Sequence, residues 1–164
     1  MARWEPDFDF YDADLEGTLV AVFLDLGAKA HAPVATHPVR FQVRIALALP
    51  RPDGLHAAEE HEMLIHAEDA MAQKLTSSID AIYVGRLVAE GFVTFTFYVP
   101  KAHEASLREP RAVIGDGVPY PLEWNAADDA EWRYYLELLW PDAETEAKMK
   151  SRRVADRALG VGQA

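Results

Sequence analysis

The strongest constraint in this chain is an alternation. Phe41, Val43, Ile45, Leu47 and Leu49 are apolar, and Arg40, Gln42, Arg44, Ala46 and Ala48 fall between them. A period of two over that length predicts a strand with one buried face. Pro50-Arg51-Pro52-Asp53-Gly54 follows, with two prolines and an Asp-Gly pair that dictate a turn. From Leu55 to about Thr76 the chain has neither Gly nor Pro and is rich in helix formers, which predicts one long helix. Two more strands, Ile79 to Val88 and Phe92 to Val99, flank Glu90-Gly91, a tight hairpin signal.

The flanks complete the pattern. Leu19 to Leu26 is an apolar, β-branched run ended by Gly27 and reads as an additional N-terminal strand. Phe8-Asp9-Phe10-Tyr11 fits either a short edge strand or an extended arm. Lys101 to Glu109 predicts a short helix, and Pro121 to Trp124 a last strand. Asn125 is placed to cap a helix whose stripe is Trp132, Tyr135, Leu136 and Leu139. Asp142 caps a final helix that stops at Gly160. From Arg40 to Trp124 the order is β-α-β-β-α-β, the split βαβ pattern of ferredoxin-like domains. The expected fold is therefore α+β: a ferredoxin-like, largely antiparallel sheet with an extra N-terminal strand and C-terminal helices. Residues 1–141 are expected to form a single α+β domain, and 142–164 a C-terminal helix and tail. With 164 residues, such a chain buries about two thirds of its unfolded surface, enough for a core without staples.

Charge narrows the function classes. There are 16 Lys+Arg against 27 Asp+Glu, a formal net charge of −11. Nucleic-acid affinity comes from Lys and Arg neutralising phosphates, so no nucleic-acid partner is expected. An anionic membrane surface is disfavoured for the same reason, and no apolar run approaches the ~20 residues of a membrane helix. Cysteine is absent, which excludes thiol chemistry and disulfides. The N-terminal residues lack the apolar core of a secretory signal, and a cytoplasmic location is expected.

The helix carries His56, Glu59, Glu60, His61, Glu62, His66, Glu68 and Asp69. His61 and His66 approach a zinc-protease motif but stand five residues apart, about 140° around a helix, and cannot share an ion. Glu59, Glu62, His66 and Asp69 share a face and read as the solvated side of an amphipathic helix. No metal and no cofactor is expected. Glu60 and Glu68 differ, because they flank Leu64 along the apolar stripe of Leu64, Met71 and Leu75. A carboxylate there needs a partner, and Arg44 and Arg86 are strand residues able to supply one. The functional reading is a carboxylate pair serving a pocket; the structural one is a tie between helix and sheet. The sheet face opposite the helix presents Gln42, Arg44, Thr94, Thr96 and Tyr98, and is expected to be covered by the C-terminal helices or by a partner. Gly115-x-Gly117 and the serines lack the setting of a phosphate loop or a nucleophile elbow.

Several of these residues also resemble, in order and spacing, the bacterial domain of unknown function 695 family. They are Asp53-Gly54-Leu55, Glu60, Leu64, Glu68-Asp69, Tyr83-Val84-Gly85, Gly91 and Phe97-Tyr98-Val99, with Trp132, Tyr135 and Leu139 to Pro141 closing the likeness. The resemblance spans about residues 8–141. It implies a small bacterial α+β domain and no established activity. The reading that results is a non-catalytic binding or regulatory module with an acidic protein-interaction surface. The alternative is a small-molecule-binding domain or enzyme using Glu60 and Glu68 with Arg44, Arg86 or Tyr98. A protein partner is expected, and a homo-oligomer is left open.

Overall fold

The computed structural model describes residues 3–160. Its centre is a six-stranded antiparallel sheet. β1 (Phe8–Leu15) and β2 (Thr18–Asp25) form a hairpin whose turn residues Glu16 and Gly17 both take positive φ, 54° and 89°. β3 (Val39–Ala46) is the alternating strand, ending before Leu47 and Leu49, and α1 (His61–Ile79) is the long helix. α1 begins six residues later than the Gly- and Pro-free run predicts, after a 3-10 turn at Ala58–Glu60, and takes in Ile79, which was expected to open a strand. β4 (Ile82–Ala89) and β5 (Phe92–Val99) are joined by Glu90 and Gly91, with φ of 53° and 84°. Positive φ at both central residues matches the right-handed twist of paired strands. A 3-10 segment (Lys101–Arg108) and α2 (Pro110–Ile114) lead to β6 (Glu123–Asp128), and α3 (Ala143–Ala158) closes the described chain.

The strand order is β1-β2-β4-β5-β3-β6. The class is α+β, as expected, but two strands lie beyond β4, where a simple four-stranded split βαβ sheet would end. The N-terminal addition is thus a hairpin rather than one strand. At the opposite edge, Asn125 does not cap a helix. It is a β6 residue opposite Gln42 of β3, because pairing along Val39 to Arg44 carries the strand on to Asp128. The turn out of β6 is held by Asp129, whose carboxylate accepts from the backbone of Arg133 (2.8 Å) and Tyr134 (3.2 Å). Trp132 sits there at a φ of 54°, and a π-helical turn follows over Tyr134–Leu139. The final helix is as expected: Asp142 accepts from the Thr145 N–H at 2.8 Å, and Gly160 ends it with a φ of 72°.

Each face of the sheet has its own core. On one face Leu64, Met71 and Leu75 of α1 pack with Phe41, Val43, Phe95 and Phe97. On the other, Val22, Leu24, Val84 and Tyr98 meet Trp132, Tyr135, Leu139 and Met149. Tyr98 stacks on Trp132 with ring centroids 4.1 Å apart. Of the face expected to be covered by the C-terminal helices or by a partner, Tyr98 and Thr96 are buried, Gln42 and Thr94 are partly covered, and Arg44 stays half exposed. Among the described residues no helix is long and apolar enough to cross a membrane.

Six strands at about 4.8 Å spacing make a face roughly 24 Å wide. A helix covers about 10 Å of that. α1 packs beside α2, and together they leave the inner side of the β1–β2 hairpin uncovered. The candidate site lies in that gap.

Leu64 is completely buried at the centre of the α1 stripe. Leu64→Ala is expected to lower unfolding free energy by about 2–5 kcal/mol in urea titration; a change below about 0.5 kcal/mol would contradict this packing.

Candidate functional site

A cleft of about 1050 Å³ runs between α1 and the β1–β2 hairpin. One wall is α1, through Ile65, Asp69 and Ala72; the other is Phe8, Phe10 and Phe23. Its floor is β4, and His56 and His61 stand beside the loop that leads into α1.

The floor is built around Glu68. Its carboxylate is buried and accepts from Arg86 Nη1 at 2.7 Å (Oε1) and 2.6 Å (Oε2). Tyr83 donates its hydroxyl to Oε2 of the same group. The Arg86 guanidinium lies over the Phe23 ring, 4.4 Å from its centroid, and Phe23 stacks on Phe8 at 5.0 Å. Burial, with the Glu68 carboxylate beside it, holds the Tyr83 phenol well above its ordinary value. Tyr83 is thus a neutral donor.

Tyr83 and Arg86 are three residues apart, and in a regular strand they would face opposite sides. A bulge brings them together. Tyr83 pairs with Phe97 and Gly85 with Thr96, so Val84 has no counterpart on β5 and the phase slips by one. Gly85 makes the bulge feasible. Its φ is 151°, and a Cβ at this position would lie 2.3 Å from the Phe23 carbonyl oxygen.

His56 and His61 stack at 5.2 Å, with His56 Nε2 3.0 Å from His61 Nδ1. They are five residues apart, but His56 precedes the helix, so the angular argument against a shared site does not govern this pair. Burial lowers the His56 pKa, and the nearby His61 and Arg86 lower it further. Its Nδ1 is buried with no hydrogen-bond partner among the described residues. Among those residues no group of three or more His, Cys, Asp or Glu side chains could hold a metal ion.

The five residues singled out from sequence fall into separate places. Glu68 and Arg86 form the cleft floor. Glu60 is 1% exposed and away from it. Its carboxylate accepts from the N–H groups of Ala48 (2.8 Å) and Leu49 (2.7 Å) and from the Tyr120 hydroxyl (2.7 Å). Burial pushes the Glu60 carboxyl up, but these three donors outweigh it and hold the pKa below the usual value. Glu60 therefore ties the segment after β3 to the start of α1. Arg44 meets neither glutamate. Its Nε and Nη2 donate to Glu123 on β6 at 2.8 and 2.6 Å, and its side chain is half exposed. Tyr98 lies on the opposite sheet face and donates to Asp129 at 2.7 Å.

The sequence reading missed Tyr83, the phenylalanine wall and the histidine contact. Tyr83-Val84-Gly85 was part of the family likeness, and its glycine inside a strand was the available sign of a bulge. Gly85→Ala is expected to destabilise the protein by at least about 1–3 kcal/mol. It should also shift the Tyr83 and Arg86 resonances while leaving those of the Trp132 core in place. A neutral effect on both readouts would contradict the bulge.

A search of curated proteins finds no match. The model of a family described as "Family of unknown function (DUF695)" matches residues 6–140 and so includes every cleft residue named above. α3 lies beyond the matched span. The match takes in most of the chain, and the chain belongs to that family.

Proposed function

We propose that this protein is a non-catalytic binding module whose site is the cleft between α1 and the β1–β2 hairpin. The observation that carries the proposal is the state of its carboxylates. Glu68 already has both oxygens engaged by Arg86 and Tyr83. Glu60 has three donors and sits elsewhere. Neither is a free base or a free acid, and they do not converge on a common reacting atom, as general acid–base work demands. The cleft, by contrast, has the character of a ligand site: apolar walls with a few placed polar groups.

The ferredoxin-like reading belongs to this proposal as well. Its support is the order β4-β5-β3-β6, with α1 linking β3 to β4 and α2 between β5 and β6. So does a cytoplasmic location, in keeping with the cysteine-free composition. A second reading, a protein partner, is favoured by the other sheet edge. Among the described residues β6 has no neighbour on its outer side, and Trp124 there is 45% exposed. A partner drawn by the overall charge of −11 would present a basic surface.

Amide chemical shifts of the labelled protein, recorded against mixtures of small organic molecules, test the cleft reading. Shifts are expected to cluster at Phe10, Ile65, Tyr83 and Val88, with the bound compounds recovered unchanged. Conversion of a bound compound, or shifts that avoid the cleft throughout the set, would contradict it.

A further inference from the structure

We propose that the cleft selects a singly charged carboxylate carried on an aromatic or apolar body, and that Arg86 receives the carboxylate. This rests on the cleft being the binding site.

Arg86 engages Glu68 through Nη1 alone. Nε and Nη2 donate to no described residue within hydrogen-bond geometry, the Tyr83 hydroxyl lies beside the guanidinium, and Arg86 lines the cleft although it is only 8% exposed. One planar edge of the guanidinium is therefore held by the protein and the other is presented. Two parallel N–H groups on a rigid fork match the two oxygens of a carboxylate. The guanidinium cannot swing away to satisfy itself elsewhere, because Glu68 fixes one end and the Phe23 face supports it from below.

Glu68 does not compete for the free edge. Its oxygens are occupied, and its charge is opposed by Arg86. It does limit the charge a ligand can bring. Arg86 and Arg51 border the cleft together with Glu68, Asp69 and Asp12, and the His56 pKa is lowered. These side chains already carry three negative charges against two positive, so a ligand carboxylate is held by the paired N–H groups of the fork rather than by unmatched charge, and each added negative charge is costly. A doubly charged phosphate would meet three carboxylates with too few donors.

The body of the ligand is set by the walls. Phe8 and Phe23 are already stacked, whereas Phe10, opposite Phe23 across the hairpin, is 57% exposed and carries the Arg152 guanidinium over its ring at 4.3 Å. Ile65 and Ala72 oppose them across the cleft. A ring on the ligand would complete the stack and cover Phe10. Such a carboxylate has two sources: a free aryl or alkyl acid, or the C-terminal residue of a peptide.

The probes are phenylacetate and phenylacetamide, and a short peptide ending in phenylalanine with either a free or an amidated C-terminus. Binding to the full chain is followed by calorimetry and by amide shifts. Each acid is expected to bind at the cleft at least about tenfold more tightly than its amide. Arg86→Lys, which keeps the charge and loses the fork, is expected to weaken the acids by about tenfold or more. Glu68→Gln keeps an acceptor for Tyr83 and Arg86 but removes a like charge, and is expected to tighten acid binding. A merely structural Glu68 would not produce that gain. Tighter binding of phenylacetate assigns the small acid as the source, and tighter binding of the free-ended peptide assigns the C-terminus. Equal binding of acid and amide at the cleft would overturn the carboxylate inference while leaving the cleft as a binding site. Acid binding outside the cleft, or none, would also overturn it, and the mixture screen then decides separately whether the cleft binds anything. Should Arg86→Lys fail to fold, the acid–amide comparison on the unaltered protein and the Glu68→Gln variant still decide the matter.

Discussion

A buried ion pair organises the site. Glu68 and Arg86 come from a helix and a strand and meet with side chains 6% and 10% exposed. Taking two charges out of water costs several kcal/mol each, and their attraction offsets this only when geometry and accompanying hydrogen bonds are good. Tyr83 supplies the extra donor, and the Phe23 ring supports the guanidinium. The pair does more than join α1 to β4. It stands at the border between the part of the sheet that α1 covers and the part it leaves open. Apolar residues there would close the layer equally well, but they would present no charged donor to the cleft.

The hairpin that forms the far wall has its own restraint. α3 reaches β1 through Arg152, which contacts Asp9 and donates to the Phe10 carbonyl oxygen at 3.2 Å, and through Arg153, which meets Asp7 at 2.6 Å. Arg152 also lies over the Phe10 ring at 4.3 Å. Single exposed ion pairs contribute little. Here several converge on the start of β1, and one of the arginines engages the Phe10 carbonyl oxygen of this edge strand. The cleft wall is thus held from behind by a helix that lies beyond the family's matched residues.

The legible parts of the sequence were those where one local rule decides. The alternation from Phe41 made β3, a run free of Gly and Pro made α1, Glu90-Gly91 made the hairpin, and Asp142 capped α3. The parts that escaped depend on partners distant in sequence. Asn125 reads as a cap until β3 is seen to pair with it. The Phe8 segment is ambiguous until Thr18–Asp25 lies beside it. Glu60 and Glu68 look equivalent on the helix stripe, four residues either side of Leu64. One meets two backbone N–H groups and a tyrosine, the other an arginine. The bulge at Val84 explains why Tyr83 was overlooked: strand periodicity places it on the wrong face, and only the slipped register returns it to Glu68.

Unfolding free energies of Glu68→Leu, Arg86→Met and the double variant test the central claim most directly. Each single change strands a buried charge and is expected to cost about 3–5 kcal/mol. The double variant removes both charges and is expected to be more stable than either single one, a coupling of about 2 kcal/mol or more. Small, additive losses with coupling below about 0.5 kcal/mol would show that the two charges are solvated independently, and the account of the cleft floor would fail.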